Sequence, residues 1–183
     1  MDASYLAGDL QKVLLTEEQL HTRIDELSDD IARDYEGTDL LLVGILRGAV
    51  MVMADLARAL NRHVEMDWMA ISSYGSGTTS SGVVRILKDL DTDLLDRHVL
   101  VVEDIVDTGL TLSWLLANLE SRGAASVEAC ALLRKAETIK RSVRVKYVGF
   151  DIPNEFVVGY GLDYAEKYRN LRDIATLAPH VYA

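Results

Sequence analysis

Residues His98 to Leu112 read HVLVVEDIVDTGLTL. The four consecutive apolar residues from Val99 to Val102 predict a strand buried on both faces in a parallel sheet, because a half-solvated strand would alternate apolar and polar side chains. Glu103 and Asp104 follow at the expected C-terminal edge of this strand. Apolar residues at helical spacing from Thr111 to Ser121 then predict a helix. Ligands of open parallel sheets bind at this edge, so we expect the functional site here.

The turn between strand and helix, Asp107 to Gly109, suits a phosphate group. A helix N-terminus offers unpaired N–H groups and the positive end of the helix dipole, and Thr108 and Thr111 add hydroxyl groups. Glu103 and Asp104 would repel that phosphate, so we expect them to face a ribose diol or a magnesium ion bound to it. The alternative is that the turn only caps the helix and that the two acids are solvated.

The full pattern resembles the phosphoribosyl-diphosphate (PRPP) signature of type I phosphoribosyltransferases: an apolar run, two acids, two apolar residues, Asp-Thr-Gly and a further Thr. From roughly Leu40 to the C-terminus, the chain is similar to the hypoxanthine-guanine branch of that family. The resemblance implies purine salvage, in which the 5-phosphoribosyl group of PRPP is transferred to hypoxanthine or guanine. The products would be IMP or GMP and pyrophosphate.

The resemblance also assigns roles within the central segment. It implies that the 5-phosphate and ribose of PRPP are held by Glu103, Asp104, Asp107, Thr108, Gly109, Leu110 and Thr111. Asp107 would be the catalytic proton acceptor at purine N7. Mg²⁺ is the implied cofactor, with one ion near Glu103 and Asp104 and a second by Asp163. Two positions depart from the family pattern: Leu110 stands where some relatives carry lysine, and Arg172 stands where proline is expected.

A second candidate loop, Leu46-Arg47-Gly48, lies between a buried-strand pattern at residues 39–46 and a helical pattern at residues 49–60. A cation and a glycine at a strand end could hold an anion, or they could form a plain turn. The resemblance implies the former: this triplet would be the pyrophosphate loop, with a non-proline cis peptide before Arg47. Arg169 would hold the same pyrophosphate.

Residues 73–82, SYGSGTTSSG, are small, polar and rich in glycine, which is typical of a mobile loop. Both flanks are strand patterns, so a lid over a site is at least as plausible as a disordered linker. The resemblance implies that Ser73 and Tyr74 of this loop act in catalysis by closing over the transition state.

The purine site is implied by residues in the C-terminal half. Phe156 would stack on the base, the Val157 backbone would meet its polar edge, and Asp163 would lie close by. Lys135 follows the apolar run Ala129 to Leu133 and would donate to the 6-oxo group. The alternative for Lys135 is a solvated charge at the end of a strand.

The net charge and the cysteine content limit the binding partners and the cellular location that we expect. The net charge of −10 argues against nucleic-acid and membrane-surface partners, which favour a basic face. No targeting segment or membrane span is evident, and the single cysteine, Cys130, lies in an apolar run where a reduced, buried thiol is expected, so we predict a cytoplasmic protein. Apolar surface on the helix after Arg47 favours a homodimer or homotetramer.

The order of strand and helix patterns predicts an α/β fold, a mostly parallel twisted sheet with helices on both faces. Further strands are expected at residues 65–73, 83–87, 126–133 and 143–150, and a capping box predicts a helix after Thr16. We expect a PRPP-binding core at residues 37–150 and a hood formed by residues 1–36 and 151–183. Two other functions remain open: transfer to another base such as xanthine, and a non-catalytic PRPP-sensing regulator.

Overall fold

The computed structural model describes residues 1–6, 8–74, 83–140 and 143–182, with only the backbone described at residues 73, 74 and 83. The strands are β1 (Leu10–Leu15), β2 (Leu40–Leu46), β3 (Glu65–Tyr74), β4 (Val83–Lys88), β5 (His98–Val106), β6 (Ser126–Arg134), β7 (Tyr147–Asp151), β8 (Val157–Val158) and β9 (Ile174–Leu177). The helices are α1 (Glu17–Asp34), α2 (Val50–Ala59), α3 (Leu110–Glu120) and α4 (Pro179–Tyr182), with short 3-10 turns at Ala3–Leu6 and Ala136–Thr138.

Six strands form one sheet in the order β4-β3-β2-β5-β6-β7. Neighbouring strands pair in parallel, except that β3 and β4 are antiparallel. Side chains of β5 alternate between the two faces: Leu100 and Val102 pack with residues of α1 and α2, whereas Val99 and Val101 pack with residues of α3. The predicted fold class, a mostly parallel sheet with helices on both faces, is therefore confirmed.

Helix α1 begins at the predicted capping box. Thr16 Oγ1 accepts from the Gln19 N–H at 3.3 Å, and Gln19 Oε1 accepts from the Thr16 N–H at 2.9 Å. The sequence places this helix in the hood, but its buried residues, among them Leu20 and Ile24, join the apolar cluster of α2, and the helix also contacts β7. The apolar stripe of α1 is buried against α2 and one face of the large sheet, and this burial is the reason that α1 packs at that position.

A small antiparallel sheet has the strand order β1-β9-β8. The apolar and glycine pattern from Phe156 to Gly161 is β-like and contains β8, whereas no pattern predicts β1 or β9. Neither shows the clean alternation that identifies a strand, and their pairing joins opposite ends of the chain. The division into a core at residues 37–150 and a hood at residues 1–36 and 151–183 stays a prediction.

Two strand boundaries differ from those expected. Strand β5 continues through Glu103 and Asp104 to Val106, because its pairing with β6 extends to the Val106–Arg134 pair, so the two acids lie inside the strand and not after it. Strand β7 begins at Tyr147, later than the apolar pattern from residue 143 indicates.

Parallel pairing brings the C-terminal ends of β2, β5 and β6 to the same edge of the large sheet. The segments that leave this edge start at Arg47, Asp107 and Lys135, which are three of the residues that the sequence marks for function. Within the described residues, none of the helices combines the length and the apolar composition required to cross a membrane.

Candidate active site

A cleft of about 220 Å³ opens at this edge, between the ends of β2 and β5 and the start of α3. Its lining includes Glu103, Leu46 and the turn residues Asp107, Thr108, Gly109 and Thr111. The structure thus brings together the predicted phosphate turn, a predicted ribose acid and the first residue of the predicted pyrophosphate loop.

Glu103 and Asp104 are carboxyl groups that have lost most of their water. Burial raises the pKa of Glu103 well above its ordinary value, and the adjacent Asp104 raises it further. Burial also raises the pKa of Asp104 to about 6, although the Ile105 N–H donates to Asp104 Oδ1 at 2.7 Å and the charge of Arg169 favours the ionised form. Glu103 is buried and Asp104 is partly buried, and two adjacent acids repel each other, so this pair is suited to a positively charged ligand.

The donor set at this pair fits magnesium. Magnesium prefers oxygen ligands and is commonly held by one or two carboxylates that share the ion with substrate phosphates. Asp163 is close enough for its charge to raise the pKa of Asp104. Among the residues that the structure describes, no group of three or more acidic, histidine or cysteine side chains is placed to hold a metal ion.

Gly48 allows the loop after β2 to approach β5. A Cβ atom at this position would lie 1.6 Å from Asp104 Oδ2, so any larger residue would displace that carboxylate. Gly161 has φ +101 and packs on the same loop, and a Cβ there would lie 2.0 Å from the Gly48 carbonyl oxygen. The Leu46–Arg47 peptide bond is cis, as the resemblance implies. Three segments distant in sequence therefore meet at Gly48.

The loop that follows β6 donates hydrogen bonds to the backbone of the predicted phosphate turn. Gly109 takes the left-handed conformation, φ 75, and α3 begins at the next residue. The Lys140 N–H donates to the Thr108 carbonyl at 3.1 Å, and Thr138 Oγ1 donates to the Asp107 carbonyl at 3.1 Å. The first N–H groups of a helix have no partner within the helix, so this supported turn presents donors to an anion.

Lys135 and Asp107, assigned to the purine and its proton, are neighbours. Lys135 Nζ donates to Asp107 Oδ2 at 3.2 Å. Lys135 is only 9% exposed, whereas the Asp107 side chain is half-exposed. The Lys135 N–H donates to the Val106 carbonyl at 2.9 Å, which fixes the lysine at the end of β5. The alternative of a solvated charge at the strand end is wrong, because this lysine is buried and paired.

Both arginines expected at the pyrophosphate are already paired with carboxylates. Arg47 Nη1 lies 2.6 Å from Glu166 Oε2. Arg169 Nη2 lies 2.7 Å from Asp163 Oδ1 and 3.4 Å from Glu166 Oε2, and its Nη1 donates to the Gly161 carbonyl at 2.9 Å. Sequence reasoning missed Glu166, whose only signal is its position between Asp163 and Arg169.

Phe156 presents an exposed aromatic ring and is supported by two tyrosines that sequence reasoning also missed. The Tyr164 ring meets it edge-on with centroids 5.8 Å apart, and the Tyr182 ring lies 6.1 Å away at a tilt. No local pattern identifies these partners, because Tyr182 comes from α4 at the other end of the C-terminal segment. Val157, also assigned to the purine, is buried in β8.

Ser73 and Tyr74 lie at the end of β3, where their backbones pair with those of Val84 and Val83. The predicted lid depends on their side chains and on residues 75–82, and both lie outside the described part of the chain. The lid therefore stays a prediction.

Comparison with known proteins decides the family. The model of the phosphoribosyl transferase domain matches residues 11–165. The chain belongs to this family. It is 56% identical to a hypoxanthine-guanine phosphoribosyltransferase of Mycobacterium tuberculosis, over 98% of this chain and 92% of that protein. It is 47% identical to the Bacillus subtilis protein of the same name, over 95% and 97% of the two chains.

A solved structure agrees with the sequence relatives. A hypoxanthine phosphoribosyltransferase from Staphylococcus aureus superposes with a TM-score of 0.94 at 46% identity, covering 98% of this chain and 97% of the other. The phosphoribosyltransferase fold inferred from the central segment is thus confirmed along nearly the whole chain.

Proposed function

We propose that this phosphoribosyltransferase transfers the 5-phosphoribosyl group of PRPP to N9 of hypoxanthine or guanine in purine salvage. IMP or GMP and pyrophosphate would be the products. The observation that carries the proposal is the meeting of a supported phosphate turn, a buried acid pair and a buried lysine at one edge of the sheet. The names of the relatives support the same reaction.

The charges of the site match those that develop in the reaction. Breaking the bond between C1 and pyrophosphate leaves positive charge on the ribose and negative charge on the leaving group. Arg47 and Arg169 would hold the pyrophosphate. Glu103 and Asp104 would face the ribose diol and hold one magnesium ion, and Asp163 would hold a second. Magnesium supplies positive charge to the leaving phosphates when it is bound.

The 5-phosphate would bind at the turn from Asp107 to Thr111. The N–H groups at the start of α3 and the hydroxyls of Thr108 and Thr111 would donate to its oxygens, and Gly109 lets the backbone approach closely. Leu110 replaces the lysine of some relatives, so its side chain adds no charge and binding would depend on backbone donors and hydroxyls.

Asp107 and Lys135, which lie next to each other, would contact neighbouring atoms on one edge of the purine. Asp107 would accept the proton from N7 as N9 bonds to C1, and its half-exposed carboxylate is accessible to a base in the cleft. Lys135 would donate to the 6-oxo group. Phe156 would stack on the base, the Val157 backbone would meet its polar edge, and Ser73 and Tyr74 would exclude water from the ribosyl cation.

Assembly and location are part of the same proposal. The chain would form a homodimer or homotetramer through the face around α2, where Val50 exposes apolar surface. It would act in the cytoplasm. A single monomer mass across micromolar concentrations in sedimentation would contradict the oligomer.

The test of the proposed reaction is to mix the protein with PRPP, hypoxanthine and magnesium and to quantify IMP and pyrophosphate. We expect both products in equal amounts. Asp107→Asn should lower turnover about 100-fold or more and weaken PRPP binding little, because the proton acceptor is lost while the turn remains. Asp151→Asn is the matched control, since Asp151 also lies at the C-terminal end of a strand, β7, and pairs with Arg134.

Two results would contradict this proposal. PRPP binding without formation of any nucleotide would indicate the regulator. Turnover near that of the wild type in Asp107→Asn would show that Asp107 is only a turn residue.

A further inference from the structure

Glu166 holds both arginines of the proposed pyrophosphate site. Its Oε2 is 2.6 Å from Arg47 Nη1, and both of its carboxylate oxygens are 3.4 Å from Arg169 Nη2. A carboxylate and a phosphate offer the same kind of oxygen acceptors to a guanidinium group. The side chain therefore occupies donors that a pyrophosphate would use.

The backbone presents Glu166 at this position. Ala165 and Glu166 both have positive φ angles, 50 and 62, and the Glu166 N–H donates to Asp163 Oδ2 at 2.9 Å. Left-handed conformations are uncommon for residues other than glycine, so two in succession need local support. Asp163 provides it and also contacts Arg169 through Oδ1 at 2.7 Å.

The ion pair between Glu166 and Arg47 can be broken at little cost in free energy. The side chains of Arg47 and Glu166 are 69% and 64% exposed, and ion pairs so accessible to water contribute little to stability. Arg169 would keep Asp163 and the Gly161 carbonyl as partners if Glu166 left. Arg47 differs, because Glu166 is the carboxylate that pairs with it among the residues the structure describes.

We propose that Glu166 is the resident counter-ion of the pyrophosphate site. Its carboxylate pairs with Arg47 and Arg169 when the site is empty, yields them to the pyrophosphate group of PRPP, and returns when pyrophosphate leaves. Glu166 is thus a positioning residue that weakens pyrophosphate binding and favours product release. This inference rests on the proposed function.

The direct test measures pyrophosphate binding by calorimetry in magnesium buffer without purine. Glu166→Gln keeps the shape of the side chain but removes its charge, and we expect pyrophosphate to bind about three- to tenfold more tightly, the change expected on removing one solvent-screened competitor. The KM for PRPP should fall in the same direction, whereas the KM for hypoxanthine should not change.

Glu26→Gln is the matched control, because Glu26 also forms an exposed 2.6 Å pair with an arginine, Arg23, but lies on α1. It should not change pyrophosphate affinity. A double-mutant cycle with Arg47→Gln separates direct competition from a general charge effect: the gain from Glu166→Gln should largely disappear once Arg47 is gone.

Three outcomes would overturn the counter-ion role: unchanged affinity in Glu166→Gln, weaker affinity, or the same gain with and without Arg47. A wild-type protein that binds no pyrophosphate and forms no nucleotide would instead reject the proposed function. The two failures are therefore distinguishable.

Discussion

If Lys135 contacts the purine as proposed, it determines the choice between bases. An ammonium group is only a donor, so it can pair with the oxygen at C6 of hypoxanthine or guanine but not with the amino group of adenine. In the structure this lysine is buried and donates to Asp107. Adenine would place its amino group, also a donor, against this ammonium group. A buried donor without an acceptor costs about 1 to 3 kcal/mol, which is enough for discrimination of tenfold or more.

We therefore expect Lys135→Met to reduce kcat/KM for hypoxanthine and guanine at least about tenfold and to affect adenine little. The proposed stacking on Phe156 would not distinguish these bases, because both kinds of purine present similar faces. Lys140→Met is the control, since Lys140 is an exposed lysine on the same loop. Equal losses for all three bases would remove Lys135 from base selection.

The acid pair at Glu103 and Asp104, proposed to bind the ribose and magnesium, should lower the stability of the folded protein without ligands. The folded-state pKa values of both acids are raised, to about 6 for Asp104, so their ionisation at neutral pH favours the unfolded chain. Glu103→Gln combined with Asp104→Asn should raise the thermal midpoint of the protein without ligands and weaken PRPP binding in magnesium. Calorimetry of both properties checks this, and a variant with lower stability and unchanged affinity would refute it.

At the scale of single residues, the sequence allowed prediction of those that belong to a contiguous motif. Asp107 to Thr111 could be recognised because the turn, the helix start and the hydroxyls are adjacent in the chain. Glu166 and Tyr182 could not, because their partners, Arg47 and Phe156, are distant in sequence and no periodicity links them.

Among the elements, the loop after β2 depends on close contact with two other segments. Gly48 packs against Asp104 of β5 and the Gly161 turn, with no space for a Cβ atom. We expect Gly48→Ala to lower the unfolding midpoint and to weaken PRPP binding at least about tenfold, because a methyl group there must displace the Asp104 carboxylate.

Gly8→Ala is the matched control, since a Cβ at Gly8 would meet nothing within 4 Å. Denaturation curves and PRPP titrations of the two variants make the comparison. If Gly48→Ala behaves like Gly8→Ala, the three segments do not constrain one another as described.

Elements with strong local patterns were predictable, and those defined by distant partners were not. The capping box located the start of α1, and the unbroken apolar runs located β2 and β5. Strand β1 has no such pattern; it exists because it pairs with β9 from the other end of the chain. Pairing with a partner strand also explains the length of β5. Its apolar run ends at Val102, but pairing with β6 continues past Glu103 and Asp104 to Val106.

For the whole molecule, fold class followed from the order of apolar runs and helical patterns, but strand order did not. No local sequence pattern predicts that β2 lies between β3 and β5. Strand order depends on how the connecting helices pack on the two faces of the sheet. The position of α1 likewise depends on a distant partner. The sequence shows apolar surface on the helix after Arg47, but it does not indicate that α1 packs against it.

Because Cys130 is buried, we expect the free energy of unfolding to depend on pH in the alkaline range. Burial raises the pKa of this thiol from 9.0 to about 12, so above pH 9 the unfolded chain ionises while the folded chain does not. The free energy of unfolding should therefore fall between pH 9 and pH 12, and at pH 10.5 this group accounts for about 2 kcal/mol at most.

Urea unfolding at pH 8 and pH 10.5 under reducing conditions, with wild type and Cys130→Ala, tests this dependence. The wild type should lose more stability between the two pH values than the variant, whatever the cost of the substitution itself. Equal losses would show that the thiol is not shielded in the folded state.

The central claim is that this sheet edge selects 6-oxopurines and transfers phosphoribose to them. One measurement tests it most directly: kcat/KM with PRPP and magnesium for hypoxanthine, guanine, xanthine, adenine and uracil. We predict rapid formation of IMP and GMP, with adenine and uracil lower by tenfold or more. Highest efficiency with adenine or uracil, or no nucleotide from any of the five bases, would contradict it.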